Sequence, residues 1–150
     1  MAWAGTGLVW TMSGGIPLSH AFDKSRSKTA VKGGDFSFVQ ISDSHIGFNK
    51  PANPDVTATL QTAIDSINAL PHRPDFIIHT GDLSQLSKPR EFDTLDQALK
   101  GASAQQIYFV PGEHDMLTDN GEQYLQRYGK GTKGAGWSAS IKKGFISSVW

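Results

Sequence analysis

Six ionisable side chains stand out by type and spacing. They are Asp43 and His45 in "SDSH", Asp82 in "TGDL", and Glu113, His114 and Asp115 in "PGEHD". Carboxylates and imidazoles together form a donor set of hard oxygen and nitrogen. Such a set suits Mn, Fe, Zn, Ni or Co better than a soft copper site. Cysteine is absent, so no thiolate joins the set and no disulfide constrains the chain. Asp43 and His45 are two residues apart, a spacing that turns both side chains to one side of an extended segment. Gly81 precedes Asp82 and Gly112 precedes Glu113, and each glycine allows a tight turn. Taken singly, each cluster has a plain structural explanation. Asp82 would be a turn residue, and His114 a loop imidazole bonded to Asp115.

The elements that must position these residues follow from periodicity. Strands are expected at 35–41 (DFSFVQI), 75–80 (DFIIHT) and 105–110 (QQIYFV). Residues 53–70 read as a helix, with Asn53 as N-cap, Pro54 in the first helical position, and Val56, Leu60, Ala63, Ile64 and Ile67 on one face. Residues 88–100 read as a second helix with Phe92, Leu95 and Leu99 inward, and 120–128 as a short third. Strand, helix, strand, helix, strand predicts an α/β fold with parallel strands and right-handed crossovers. Functional side chains in such sheets gather beyond the carboxyl ends of strands that lie about 4.8 Å apart. Each polar cluster follows one of the three strands, so all three can meet on one rim.

The totals bound the rest. A chain of 150 residues with 38% hydrophobic and 19% charged residues is one globular domain rather than a disordered segment. Lys plus Arg equals Asp plus Glu, 14 against 14, so no basic footprint for nucleic acid is present. The expected organisation is an N-terminal extension with a possible signal remnant (1–34), the α/β region that carries the polar clusters (35–128) and an atypical tail (129–150). Residues 1–19 carry no charge but are too rich in Gly, Ser and Thr for a membrane span. They fit the apolar part of a secretory signal without its basic start, so an exported or periplasmic location is expected ahead of a cytoplasmic one. Residues 23–34 read as a polar linker.

The order Asp-x-His, Gly-Asp, Gly-Glu-His-Asp resembles the calcineurin-like metallophosphoesterases over about residues 36–116. The resemblance implies the βαβαβ parallel-sheet half of an α-β-β-α sandwich. It also implies two divalent metal ions and a phosphoester as the small-molecule partner. Asp43 and His45 would hold the first metal, Asp82 would bridge the two, and Glu113 would bind the second. His114 would lie beside the substrate phosphate and Asp115 would orient it. Two such cations would supply an activated water for attack on phosphorus. The family usually carries Asn where this chain has Glu113, and the added negative charge should bind the second metal more tightly and acidify its water less.

The family's later ligands, a lone histidine and a Gly-His-x-His motif, have no counterpart, since no histidine follows His114. The chain is therefore expected to be a truncated copy whose frame shifts after Trp137, with a non-catalytic remnant or interaction module as the alternative. Whether the ester is a monoester, diester, nucleotide or lipid headgroup stays open. His79 reads as a core histidine, His20 and His72 as loop residues, and Thr80 and Ser84 as donors that orient Asp82.

Overall fold

The computed structural model describes residues 8–13, 16–21, 36–130, 132, 138–142 and 145–149. The linker expected at 23–34 and most of the Gly/Lys-rich stretch at 128–137 lie outside them. In chain order the elements are β1 (Leu8–Ser13), β2 (Ile16–Ala21), β3 (Phe36–Ile41), α1 (Val56–Asn68) and β4 (Phe76–His79). Then come α2 (Pro89–Leu99), β5 (Ile107–Phe109), a 3-10 turn (Glu113–Met116), α3 (Glu122–Tyr128), β6 (Ser138–Lys142) and β7 (Phe145–Val149).

The strands β3, β4 and β5 pair in parallel, with Phe38 opposite Phe76, Ile41 opposite His79, and Ile77 opposite Ile107. The α/β reading therefore describes the fold. The stretch left outside the domain as an extension behaves differently. Its strands β1 and β2 pair as an antiparallel hairpin, and β1 continues the sheet against β3 in the order β2-β1-β3-β4-β5. The hairpin covers the edge that β3 would otherwise present, and β2 becomes the outer strand on that side. The sequence between the two strands is Gly14-Gly15, a two-residue hairpin signal. The strands β6 and β7 form a separate antiparallel pair.

Alternation in the parallel strands sorts side chains to two faces. Val39, Ile41 and Ile77 join Val56, Leu60, Ile64 and Ile67 of α1 and Phe92, Leu95 and Leu99 of α2 in one buried cluster. Burial of each such side chain stabilises the fold by about 1.5–3 kcal/mol. On the other face, Phe38 stacks on Phe76 with centroids 4.8 Å apart, and Phe76 meets Tyr108 edge-on at 5.3 Å.

Helix α1 starts later than its sequence suggests. Asp55 is the N-cap and its carboxylate accepts from Ala58 N at 2.9 Å. Asn53 is occupied elsewhere, accepting from Thr59 Oγ1 at 3.1 Å. Helix α2 begins with Pro89 at its first position, and Glu91 Oε2 accepts from Leu86 N at 2.8 Å and Lys88 N at 3.3 Å. Helix α3 is tied to α2 by Tyr128 Oη donating to Asp96 at 2.7 Å and by Arg127 against Asp93 at 2.8 Å. This anchors the chain just beyond the Glu113–Met116 turn. Among the described residues no helix is long and apolar enough to cross a membrane.

Candidate metal centre

The loops beyond β3 and β4 run side by side after the strands end. Asp43 N donates to Gly81 O at 3.0 Å, His45 N to Asp82 O at 2.9 Å, and Ile46 N to Leu83 O at 3.1 Å. Along this track the backbone is not extended. Asp43, His45 and Asp82 have φ of 59°, 40° and 51°. Left-handed backbone at a residue with a Cβ costs roughly 1 kcal/mol or more, and here the cross-loop hydrogen bonds hold it in place. Asp43 and His45 thus converge through left-handed turns, not through the strand alternation expected from their spacing.

Close approach of the loops beyond β4 and β5 requires glycine. Gly81 has φ of 110°, and a Cβ there would lie 3.0 Å from the Gly112 backbone. A Cβ on Gly112 would collide with Asp82. The two glycines let Asp82 Oδ1 accept from His114 N at 3.0 Å.

At the rim, His45 Nε2 lies 3.8 Å from Asp43 Oδ1 and 3.7 Å from Asp82 Oδ2. The His45 and His114 rings meet edge-on with centroids 4.7 Å apart. Donor atoms of His45, Asp82 and His114 lie within 4.8 Å of one another. Asp43 stays more exposed, at 56% of its side chain, and Glu113 is exposed on the same cleft. That cleft has a volume of about 670 Å³, and Phe48, Val56 and Leu60 form its apolar wall.

A divalent cation fits these donors. Separations of 3.7–3.8 Å are too long for hydrogen bonds. They suit two donors that each approach one cation to about 2.1 Å. An imidazole beside two carboxylates with no hydrogen bond to either is what a cation between them would explain.

Asp115 does not do what the sequence suggests. Its carboxylate is fully buried and accepts from Leu83 N at 3.1 Å, Ser84 N at 2.8 Å, Ser84 Oγ at 2.8 Å and Gly112 N at 2.9 Å. Four donors saturate a carboxylate. The expected contact to the His114 ring is replaced by the Gln85 carbonyl, 2.8 Å from His114 Nδ1. A carbonyl only accepts, so Nδ1 carries a proton and Nε2 is left for the cleft. Sequence reasoning missed Gln85, since a backbone carbonyl leaves no signature in residue type. Thr80 and Ser84 do not bond Asp82 in the described contacts. Thr80 Oγ1 donates to Ile41 O at 3.3 Å, and Ser84 serves Asp115.

His79 is a core residue, fully buried at the end of β4. Burial pushes its imidazole down to about 4, against the pull of Asp115 and Asp43. It is therefore neutral near pH 7.

The calcineurin-like phosphoesterase profile matches residues 36–145, well over half of the chain. The chain is 32% identical over 83 residues to a "Probable glycerophosphodiester phosphodiesterase GpdQ" of Arcobacter nitrofigilis, covering 51% of this chain and 29% of that protein. It is 33% identical over 61 residues to the "Glycerophosphodiester phosphodiesterase GpdQ" of Enterobacter lignolyticus, covering 41% of this chain and 22% of that protein. The chain thus spans less than a third of the length of these curated relatives. With three parallel strand ends converging on an imidazole and carboxylate rim, and a profile that spans it, this chain belongs to the calcineurin-like phosphoesterase family.

Proposed function

We propose that this chain carries the metal rim of a phosphoester hydrolase that uses two divalent cations. The convergence of His45, Asp82 and His114 within 4.8 Å at the ends of parallel strands carries this reading. Asp43 and His45 would hold one cation, Asp82 would share both, and Glu113 would reach the second from the cleft wall. Oxygen and imidazole donors leave Mn, Fe, Zn, Ni and Co as candidates. When bound, such a pair supplies an activated water and positive charge against the phosphoryl oxygens.

The chain's own residues do the rest. Asp82 splits its carboxylate, with Oδ1 fixing the His114 backbone and Oδ2 turned to His45. His114 is oriented through Nδ1–H on the Gln85 carbonyl, so Nε2 faces the cleft, and it hands a proton to a leaving alkoxide only when the ring enters the step protonated on both nitrogens, returning to the Nδ1–H form. The names of the two relatives favour a phosphodiester over a monoester.

The test is hydrolysis of bis(p-nitrophenyl) phosphate by the manganese-reconstituted chain, before and after chelation. Turnover that chelation abolishes supports the reading. Replacing His114 by Ala should lower that turnover on the order of 10²–10⁴-fold with metal content kept. Equal loss of both would make His114 a ligand. Neither metal nor turnover in the unsubstituted chain would leave a non-catalytic module.

A further inference from the structure

Ser44 sits between two candidate ligands and lines the cleft, yet its hydroxyl is engaged from behind. Ser44 Oγ lies 2.6 Å from Nε2 of His79, the buried histidine that the proposed mechanism does not use. The direction of this hydrogen bond decides where the Ser44 proton goes. A neutral imidazole carries one proton, on Nδ1 or on Nε2. His79 Nδ1 is buried with no hydrogen-bond partner among the described residues. A proton on Nδ1 would be an orphaned buried N–H, the rarer and costlier kind of unpaired group. A proton on Nε2 leaves only a bare lone pair at Nδ1. The assigned tautomer therefore has Nε2–H donating to Ser44 Oγ. The Ser44 hydroxyl, with its oxygen already accepting, is then free to donate into the cleft.

We infer that Ser44 is a binding residue for a phosphoryl oxygen of the substrate, and that His79 is the positioning residue that aims its hydroxyl proton. The inference rests on the phosphoester reading above. The chemistry matches, since a hydroxyl donor beside a cation site offers an anionic oxygen a neutral hydrogen bond without adding charge. Burial keeps His79 uncharged near neutral pH, and this holds the pair in one protonation state. Left-handed backbone on both sides, at Asp43 and His45, fixes the direction in which Ser44 projects.

Two measurements on the full chain test this. The first is the ¹⁵N spectrum of the His79 ring, which reports its tautomer without any activity. A proton on Nε2 is expected, and a proton on Nδ1 overturns the assignment. The second is titration of the manganese-loaded chain with inorganic phosphate. Replacing Ser44 by Ala should weaken phosphate binding on the order of tenfold, as loss of one hydrogen bond implies, with metal content unchanged. His79→Leu should reproduce that loss, and His79→Gln, which keeps a donor near the Nε2 position, should restore much of it. Unchanged phosphate binding in Ser44→Ala, beside an active parent, overturns the Ser44 role alone. No phosphate binding and no diester hydrolysis by the parent overturns the phosphoester reading and this inference with it.

Discussion

Beyond β3, residues 42–46 are held by their backbone. Asp43, His45 and Ile46 donate across to Gly81, Asp82 and Leu83, and Gln85 N returns a bond to Ile46 O at 3.0 Å. The side chains of Asp43 and His45 are left to face the cleft. Beyond β5, residues 111–116 are held by a side chain instead. Asp115 spends its whole carboxylate on Leu83, Ser84 and Gly112, while Ser87 Oγ donates to His114 O at 2.8 Å. In this second loop only Glu113 and His114 remain for chemistry. The contrast shows how adjacent ionisable residues divide between scaffold and site. A loop with a neighbouring backbone to pair with can offer all its acids and imidazoles, whereas a loop without one must use an acid to hold itself.

The largest effect should fall on that second loop. Asp115→Ala leaves three backbone N–H groups and a hydroxyl unpaired inside the protein, so urea denaturation should show a loss of about 4 kcal/mol. Glu113→Ala, two residues away and exposed, should change stability by no more than about 0.5 kcal/mol. Similar costs at the two positions would erase the division between them.

A smaller effect belongs to His79, behind the first loop. Its unfolded imidazole titrates at 6.5 and the folded one at about 4. Between those values the unfolded chain binds more protons, so stability falls as pH drops from 6.5 toward 4. This group alone should cost about 2 kcal/mol between pH 7 and pH 5. His79→Gln should flatten the denaturation-versus-pH curve by that amount, and an unchanged slope would place His79 in water.

The smallest of these effects sharpens the contact between the loops. A Cβ on Gly112 would collide with Asp82, while its φ of −103° is open to any residue. Gly112→Ala should therefore push aside the Asp82 backbone as well as its carboxylate, although the φ of residue 112 itself stays unstrained. Isothermal titration with manganese should find binding weakened roughly tenfold, or about 1.4 kcal/mol. Binding at the parent's affinity would mean that Asp82 does not depend on the close approach.

Much of this was legible before any coordinates. Apolar runs at 35–41, 75–80 and 105–110 with helical periods between them specify the parallel sheet, and polar clusters at three successive strand ends specify a rim. What sequence could not show was direction. "EHD" places three ionisable groups in a row, but a 3-10 turn sends Asp115 inward and Glu113 outward. "SDSH" suggests alternation, yet the backbone is left-handed at both ligand positions. Asn53 and Asp55 are both good caps by type, and only the path of the preceding loop chooses Asp55. The hairpin of β1 and β2 was not among the expected elements, because the uncharged stretch that holds it reads as a leader segment.

The most direct test is the metal content of Asp82→Asn measured beside its thermal unfolding. The substitution keeps an oxygen to accept from His114 N and removes the negative charge at the rim. A parent that binds divalent cation and a variant that unfolds normally but loses most of it is the predicted result. A folded variant with the parent's metal content would contradict the assignment of Asp82 as the shared carboxylate of the centre.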